Sequence, residues 1–237
     1  MNGVHKVELF WSVVPINRTF QNLNLLWPEP ELLIDNLKEG YDDTDEYLRC
    51  PAIAKEASRT IVFKSPMDYS ITWTGDDVIA SSMDQTFFND FVMIRNLKRG
   101  FINFKIPIVL FSEIKTNITQ YPAYMCDNEF TRNTRMLAGG FDVSSWLRPL
   151  DVPFFINRKN EPVTIKRDQP LFYVKVDTEE KIKLTKFHSS SNLVDIMSDC
   201  VKAKNYIPGR KLPFLYDLFA KSGYNKRVIK EIKQNIY

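Results

Sequence analysis

The sequence predicts a mainly β protein: an antiparallel β-sandwich or jelly-roll-like body over residues 1–188, followed by a basic helical appendage over residues 189–237. Three observations carry this. Short β-branched and aromatic segments recur between residues 7 and 187, and several alternate apolar with polar positions, the period of a half-buried strand. Turn-forming clusters separate the last four segments every eight to ten residues, the rhythm of antiparallel sheets. Beyond residue 188 the apolar periodicity becomes helical and the charge turns positive.

Taken in order, the run Val7-Glu8-Leu9-Phe10-Trp11-Ser12-Val13-Val14 reads as a strand ending at Pro15. Residues 28–48 read as one short helix near residues 31–38 within an exposed acidic loop. Thr60-Ile61-Val62-Phe63-Lys64 is a strand stopped by Ser65-Pro66, and residues 69–74 alternate before the turn Gly75-Asp76-Asp77. Residues 91–94, 101–104 and 108–111 continue the series, with Arg99-Gly100 as a turn. Four strands follow at residues 153–156, 163–166, 171–176 and 182–184, separated by turns at 157–160, 167–169 and 177–180. Pro107, Pro153 and Pro170 are expected at strand starts or edges, where a missing N–H costs least.

The helical signals come last. Ser191 is placed to cap a short helix reaching about residue 203. A second helix covers residues 212–220, with Pro213 in its first turn and Ser222-Gly223 at its end. Asn225 then caps a final helix with Val228, Ile229, Ile232 and Ile236 on one face and lysines opposite.

The 237 residues, 44% hydrophobic and 26% charged, suffice for a substantial core. The longest apolar run, residues 106–111, falls far short of the roughly 20 residues of a spanning helix. Glu8 and Ser12 interrupt the first apolar stretch, so neither a signal peptide nor a membrane is expected. Cys50, Cys126 and Cys200 are an odd, widely spaced set, which argues for buried free thiols rather than disulfides or zinc. The sequons at Asn17 and Asn117 are read as chance matches. The net charge of +3 is unevenly spread. Residues 201–237 carry nine Lys/Arg against Asp217 and Glu231, a net +7, while residues 28–56 hold nine Asp/Glu against three cations.

Candidates for chemistry are few. His5 and His188 flank the β body, so no metal site and no cofactor is expected of them. No GxSxG elbow or phosphate-cradling glycine loop is present. Glu113-Ile114-Lys115 after an apolar strand, with Asp84 or Asp90 upstream, fits a divalent-metal nuclease in which carboxylates hold the ion and the lysine steadies the phosphate. Gly139-Gly140 permits a tight turn, after which Asp142, Trp146 and Arg148 place an acid, a large ring and a guanidinium close together. The simpler expectation for that segment is a Trp–Pro corner in which Asp142 caps a turn and Arg148 satisfies it. Lys226, Arg227, Lys230 and Lys233 recur at helical spacing and suit an acidic protein surface or, less readily, the phosphates of nucleic acid.

Two resemblances bear on these residues. Residues 139–150 with Val163-Thr164-Ile165 and Asp168-Gln169-Pro170-Leu171-Phe172 resemble the later half of the dUTPase-like β sandwiches, in which a Gly-x-x-Asp turn and a following hairpin shape a nucleotide pocket. That family's earlier phosphate-binding motifs and glycine-rich arm have no counterpart in this sequence. Arg49-Cys50-Pro51-Ala52, Lys64-Ser65-Pro66-Met67-Asp68-Tyr69, Phe141-Asp142-x-x-x-Trp146-x-Arg148-Pro149 and residues 171–176 resemble uncharacterised proteins encoded by T4-like tailed phages of marine cyanobacteria. This resemblance implies a viral origin, with residence in the host cytoplasm or the virion, and carries over no functional residue.

The functional expectation is therefore a non-enzymatic interaction or structural protein that meets a protein partner, or a second copy of itself, through aromatic-rich loops and the basic C-terminal helix. Trp146, Lys226, Arg227, Val228, Ile229, Lys230, Ile232 and Lys233 are the candidate interaction residues. The alternative is a hydrolase acting on nucleotides or nucleic acid through Asp142 with Arg148, or through Glu113 with Lys115 and a divalent ion.

Overall fold

The computed structural model describes residues 6–15, 27–40, 46–206 and 212–237. Among them the chain is mainly β, with several antiparallel sheets and a helical C-terminal region. The largest sheet runs β14 (Lys181–Lys186), β1 (Lys6–Val13), β7 (Phe101–Phe111), β11 (Pro149–Ile156), β9 (Thr134–Met136), with β6 (Val92–Asn96) also paired to β7. A second runs β10 (Gly139–Asp142), β8 (Asn117–Pro122), β13 (Pro170–Val176), β3 (Thr60–Lys64), β2 (Glu31–Leu32). The third joins β12 (Pro162–Ile165), β4 (Tyr69–Trp73) and β5 (Val78–Ala80).

Side chains from all three sheets meet in one principal core, including Leu9, Phe63, Tyr69, Phe104, Val163 and Phe172. The central strands are buried on both faces, and this explains why they read as continuous apolar runs rather than alternating ones. In β1, Leu9 and Trp11 enter the principal core, whereas Phe10 turns the other way. In β7, Ile108 and Leu110 face inward while Val109 and Phe111 face outward. The outer face so formed is covered by α5 (Ser191–Tyr206), α6 (Leu212–Lys221) and α7 (Tyr224–Gln234). On the second sheet, Val62 and Tyr173 face away from the principal core and pack with Leu33 and Leu37 of α1 (Leu33–Gly40) and Ala57 of α2 (Pro51–Ala57).

Several expectations are corrected. The ladder between β1 and β14 is parallel, so the sheets are not wholly antiparallel. The last four strands do not pair with one another in sequence: β12 pairs with β4, and β13 with β3 and β8. The hairpin that the dUTPase-like resemblance implies is therefore not formed. Residues 101–111 make one strand, not two, with Pro107 inside it. The Pro107 carbonyl accepts the Val14 N–H at 2.8 Å, so its missing N–H points toward β1 just beyond the last ladder pair, Val13 with Ile108. Pro153 lies inside β11 in the same way: its carbonyl accepts from Leu137 N–H past the end of β9. Gly139 and Gly140 are not a tight turn but part of β10, where a Cβ on Gly140 would stand 3.0 Å from the Ile118 carbonyl oxygen.

Short helices and strands went unpredicted. α2 begins after Cys50, α3 (Gln85–Phe91) begins at Asp84, and α4 (Glu129–Asn133) is closed by a capping box between Asn128 and Thr131. β5, β8, β9 and β10 are likewise additional. Within the expected acidic loop, residues 31–40 form β2 and α1 and residues 46–49 a 3-10 turn, while residues 41–45 lie outside the described residues. At the helical end, the cap of α5 is Ser190 rather than Ser191, since its Oγ accepts the Leu193 N–H. The cap of α7 is Gly223, at φ 76°, rather than Asn225, whose side chain accepts only from its neighbour Lys226 N–H.

Candidate interaction surface

The final helix divides the predicted interaction residues into two sets. Val228, Ile229 and Ile232 are 0%, 9% and 0% exposed, packed with Phe10, Val109 and Phe111 of the sheet and with Leu193 and Ile196 of α5. Each such burial stabilises the docked helix by roughly 1.5–3 kcal/mol. Ile236, expected on the same stripe, lies past the helix and is exposed. It forms an antiparallel bridge to Phe187, and the nearby Asn235 carbonyl accepts the His188 N–H at 2.8 Å. Lys226, Arg227, Lys230 and Lys233 are exposed along the opposite edge.

Electrostatics sharpens this division. Glu231, the one acid of α7, turns toward α5, where its carboxylate accepts from Ser190 Oγ at 2.8 Å and from Asn192 Nδ2 at 3.1 Å. Arg227 donates to Asn192 Oδ1 at 3.0 Å. Lys226, Lys230 and Lys233 line an open cleft of about 460 Å3 whose opposite wall is Phe111, Ser112 and Glu113. Glu113 is paired with Lys233 at 2.6 Å. Among the described residues neither Lys226 nor Lys230 has an ion pair, so the cleft presents uncompensated positive charge held on a rigid backbone.

Trp146 is not a surface contact. It is buried in the loop after β10, with its ring 5.3 Å from Tyr216 and 5.7 Å from Phe219 of α6. It forms part of the floor of a second groove, about 320 Å3, between α5 and α6. Cys200, Leu215 and Phe219 complete that floor, and Leu218 and Tyr224 stand exposed at its edge. The sequence reading missed this groove. Its signal was present: Leu215 and Phe219 make one apolar i, i+4 stripe on α6, and Phe214 and Leu218 make another, more apolar surface than one buried face needs.

The remaining candidates are occupied otherwise. Asp142 Oδ1 accepts from Thr116 N–H, Ser144 N–H and Ser144 Oγ–H, holding the loop after β10 against the start of β8. Arg148 does not satisfy Asp142; its guanidinium lies 4.9 Å from the Phe141 ring centroid, a cation–π contact. Asp84 caps α3 by accepting from Thr86 and Phe87 N–H, Asp90 lies on that helix, and Lys115 is exposed. Among the described residues, no three His, Cys, Asp or Glu side chains gather closely enough to hold a metal ion. His188 lies 3.4 Å from the Tyr237 hydroxyl through Nδ1, while His5 and Asn17 fall outside the described residues.

The cysteines differ from one another. Cys200 is buried and its thiol is pushed up to about 12 by desolvation. Cys126 is half-buried and raised by the same cause. Cys50 is exposed, contrary to expectation, and its thiol is lowered by the backbone N–H groups of Ile53 and Ala52. The aromatic richness also has a different destination. Most of the large rings pack the interior, as in the stacked Phe63–Phe172 pair and the Phe104–Phe130–Phe154 cluster. Among the described residues no helix is long and apolar enough to cross a membrane. No protein-family model matches the chain, and no curated protein sequence matches it.

Proposed function

We propose that this chain is a non-enzymatic interaction protein, virus-encoded and working in the host cytoplasm or the virion, that docks an acidic segment of a protein partner on its basic C-terminal helix. In this reading the two larger sheets face one another as a sandwich and act as a rigid platform. The observation that carries it is the orientation of α7: its apolar stripe is sealed on the sheet, its single acid is turned inward, and its lysine edge lines an open cleft. The backbone that carries these lysines is fixed by the burial of Val228, Ile229 and Ile232, so the helix need not fold on binding, and the charge it presents favours an acidic partner. The nucleotide-directed alternative has less support, because Asp142 is engaged by two donors of its own loop and by the Thr116 N–H before β8, and Glu113 by Lys233.

The test is affinity capture from the native source with lysine-reactive cross-linking, using the wild-type chain and a Lys226→Glu/Lys230→Glu variant. Cross-links from Lys226 or Lys230 to an acidic segment of one protein, lost in the variant, are the expected result. Equal capture by both chains, or recovery of nucleic acid in place of protein, overturns the proposal.

A further inference from the structure

The lysine cleft is not uniformly positive along its length. Lys226, Lys230 and Lys233 follow one another at i, i+4 and i+7 on α7, a rise of about 6 Å and then about 4.5 Å. Lys226 lies in the first turn, where the helix dipole adds positive potential and no acid offsets it, and Lys230 stands one turn on. Among the described residues neither has an ion pair. Lys233 is committed. Its ammonium meets the Glu113 carboxylate at 2.6 Å across the cleft. It also lies in the field of Glu8, whose carboxyl is lowered first by hydrogen bonds from Lys183 and Thr185 and in smaller part by Lys233. One end of the cleft is therefore open to carboxylates, and the other is already neutral with an acid in its wall.

We infer that Glu113 is the specificity-determining residue of this cleft: it admits a partner segment with two carboxylates, over Lys226 and Lys230, and cancels the advantage of a third over Lys233. The inference rests on the interaction reading above and deepens it by stating which acidic segments fit. A carboxylate brought over Lys233 meets attraction and repulsion from charges only 2.6 Å apart, whereas over Lys226 or Lys230 it meets attraction alone. Discrimination arises in this way from a repulsive element as well as from attractive ones. The same wall favours a polypeptide over a nucleic acid. A polynucleotide carries a phosphate at every step and must set one against Glu113, whereas a polypeptide can place an uncharged residue there. Gln234 lines that end of the cleft and offers its amide to such a residue.

The experiment selects a displayed library of short acidic peptides against the full-length chain and, in parallel, against Glu113→Gln, with Lys226→Glu/Lys230→Glu as the counter-selection. Glu113 is exposed, and thermal melts check that each variant folds. Wild type is expected to enrich peptides with two acids followed by an uncharged residue, and Glu113→Gln to enrich peptides with a third acid. Adding the third acid to the best wild-type peptide should change its affinity less than about twofold on wild type but tighten it about three- to fivefold on Glu113→Gln, the attraction of one exposed ion pair at about 4 Å. Glu113→Gln/Lys233→Gln should lose that gain, which identifies Lys233 as the freed cation. A third acid that affects wild type and Glu113→Gln alike, or a gain that survives the added Lys233→Gln, overturns the inference and leaves the interaction reading standing. Peptides that bind Lys226→Glu/Lys230→Glu as well as wild type, or a failure to enrich any, overturn both. So does a single-stranded oligonucleotide that displaces the selected peptides more readily than free peptide does. Sedimentation showing a wild-type dimer that Lys226→Glu/Lys230→Glu dissolves assigns the cleft to a second copy of the chain and also overturns the inference.

Discussion

Ile232→Ala tests the junction on which the interaction surface depends. Ile232 is wholly buried between α7 and the outer face of the largest sheet. The substitution removes three carbon groups, about 2.4 kcal/mol at 0.8 kcal/mol each, and leaves a cavity that the sheet strands are poorly placed to refill. The expected loss is about 3–4 kcal/mol, a large share of the roughly 5–15 kcal/mol of a typical fold. Urea denaturation followed by tryptophan fluorescence and far-ultraviolet circular dichroism measures it, with exposed Lys230→Ala, expected within about 0.5 kcal/mol of wild type, as the control. The two probes should report one shifted transition, because Phe10 and Phe111 belong to the sheet and to the helical cluster at once. A loss below about 1 kcal/mol refutes the reasoning, as does an early transition confined to helix signal, since α7 would then be a loosely attached segment.

Three further outcomes are expected. Asp142→Ala should cost about 1–3 kcal/mol by leaving the Thr116 and Ser144 donors without their acceptor, read in the same urea titration; a Mg2+- and dNTP-dependent rise in wild-type melting temperature that this variant abolishes would reinstate the nucleotide reading. Glu179 is held down to about 2 by Arg59 and then Lys55. A carboxyl lowered in the folded state stabilises above its unfolded value of 4.5 and loses that contribution as pH falls toward 2, so Glu179→Gln should match wild type near pH 2, fall modestly below it at neutral pH because the pair is solvent-screened, and thereby flatten the stability profile across that window. Iodoacetamide near neutral pH should label Cys50 well before Cys126 and Cys200, as peptide mapping would show; equal labelling would mean that α2 does not form as described.

The strands that were legible are those whose local pattern and tertiary fate agree. β3 and β4 begin and end where Thr60, Ser65-Pro66 and Gly75 indicate. α7 was legible because one stripe of a short amphipathic helix must be covered. What the sequence did not disclose was partnership: nothing in residues 162–176 says that β12 and β13 belong to different sheets, because pairing is decided by contacts far away in the chain. α3 was hidden for a related reason. Its sequence QTFFNDF carries three phenylalanines that suit a strand equally well, and only the Asp84 cap tips it into a helix. The candidate site was half legible: the lysines could be read from their spacing, whereas the α5–α6 groove depends on Trp146 arriving from a loop more than fifty residues earlier than α6.

Residue counts assign the C-terminal segment its positive charge, but the fold decides how much of that charge faces outward. Elsewhere on the molecule cations are neutralised in place, Lys183 by Glu8, Lys186 by Glu29, Lys175 by Glu56, and Arg59 with Lys55 by Glu179. On α7 the geometry does the reverse. The acid is drawn inward to hold the helix to α5, and among the described residues Lys233 is the one cleft lysine that meets a carboxylate. Two uncompensated ammonium groups one helical turn apart repel one another modestly, a standing cost that folding alone gives no reason to retain. An acidic partner removes that repulsion on binding and gains from the same geometry, so the arrangement makes physical sense as half of a complementary pair.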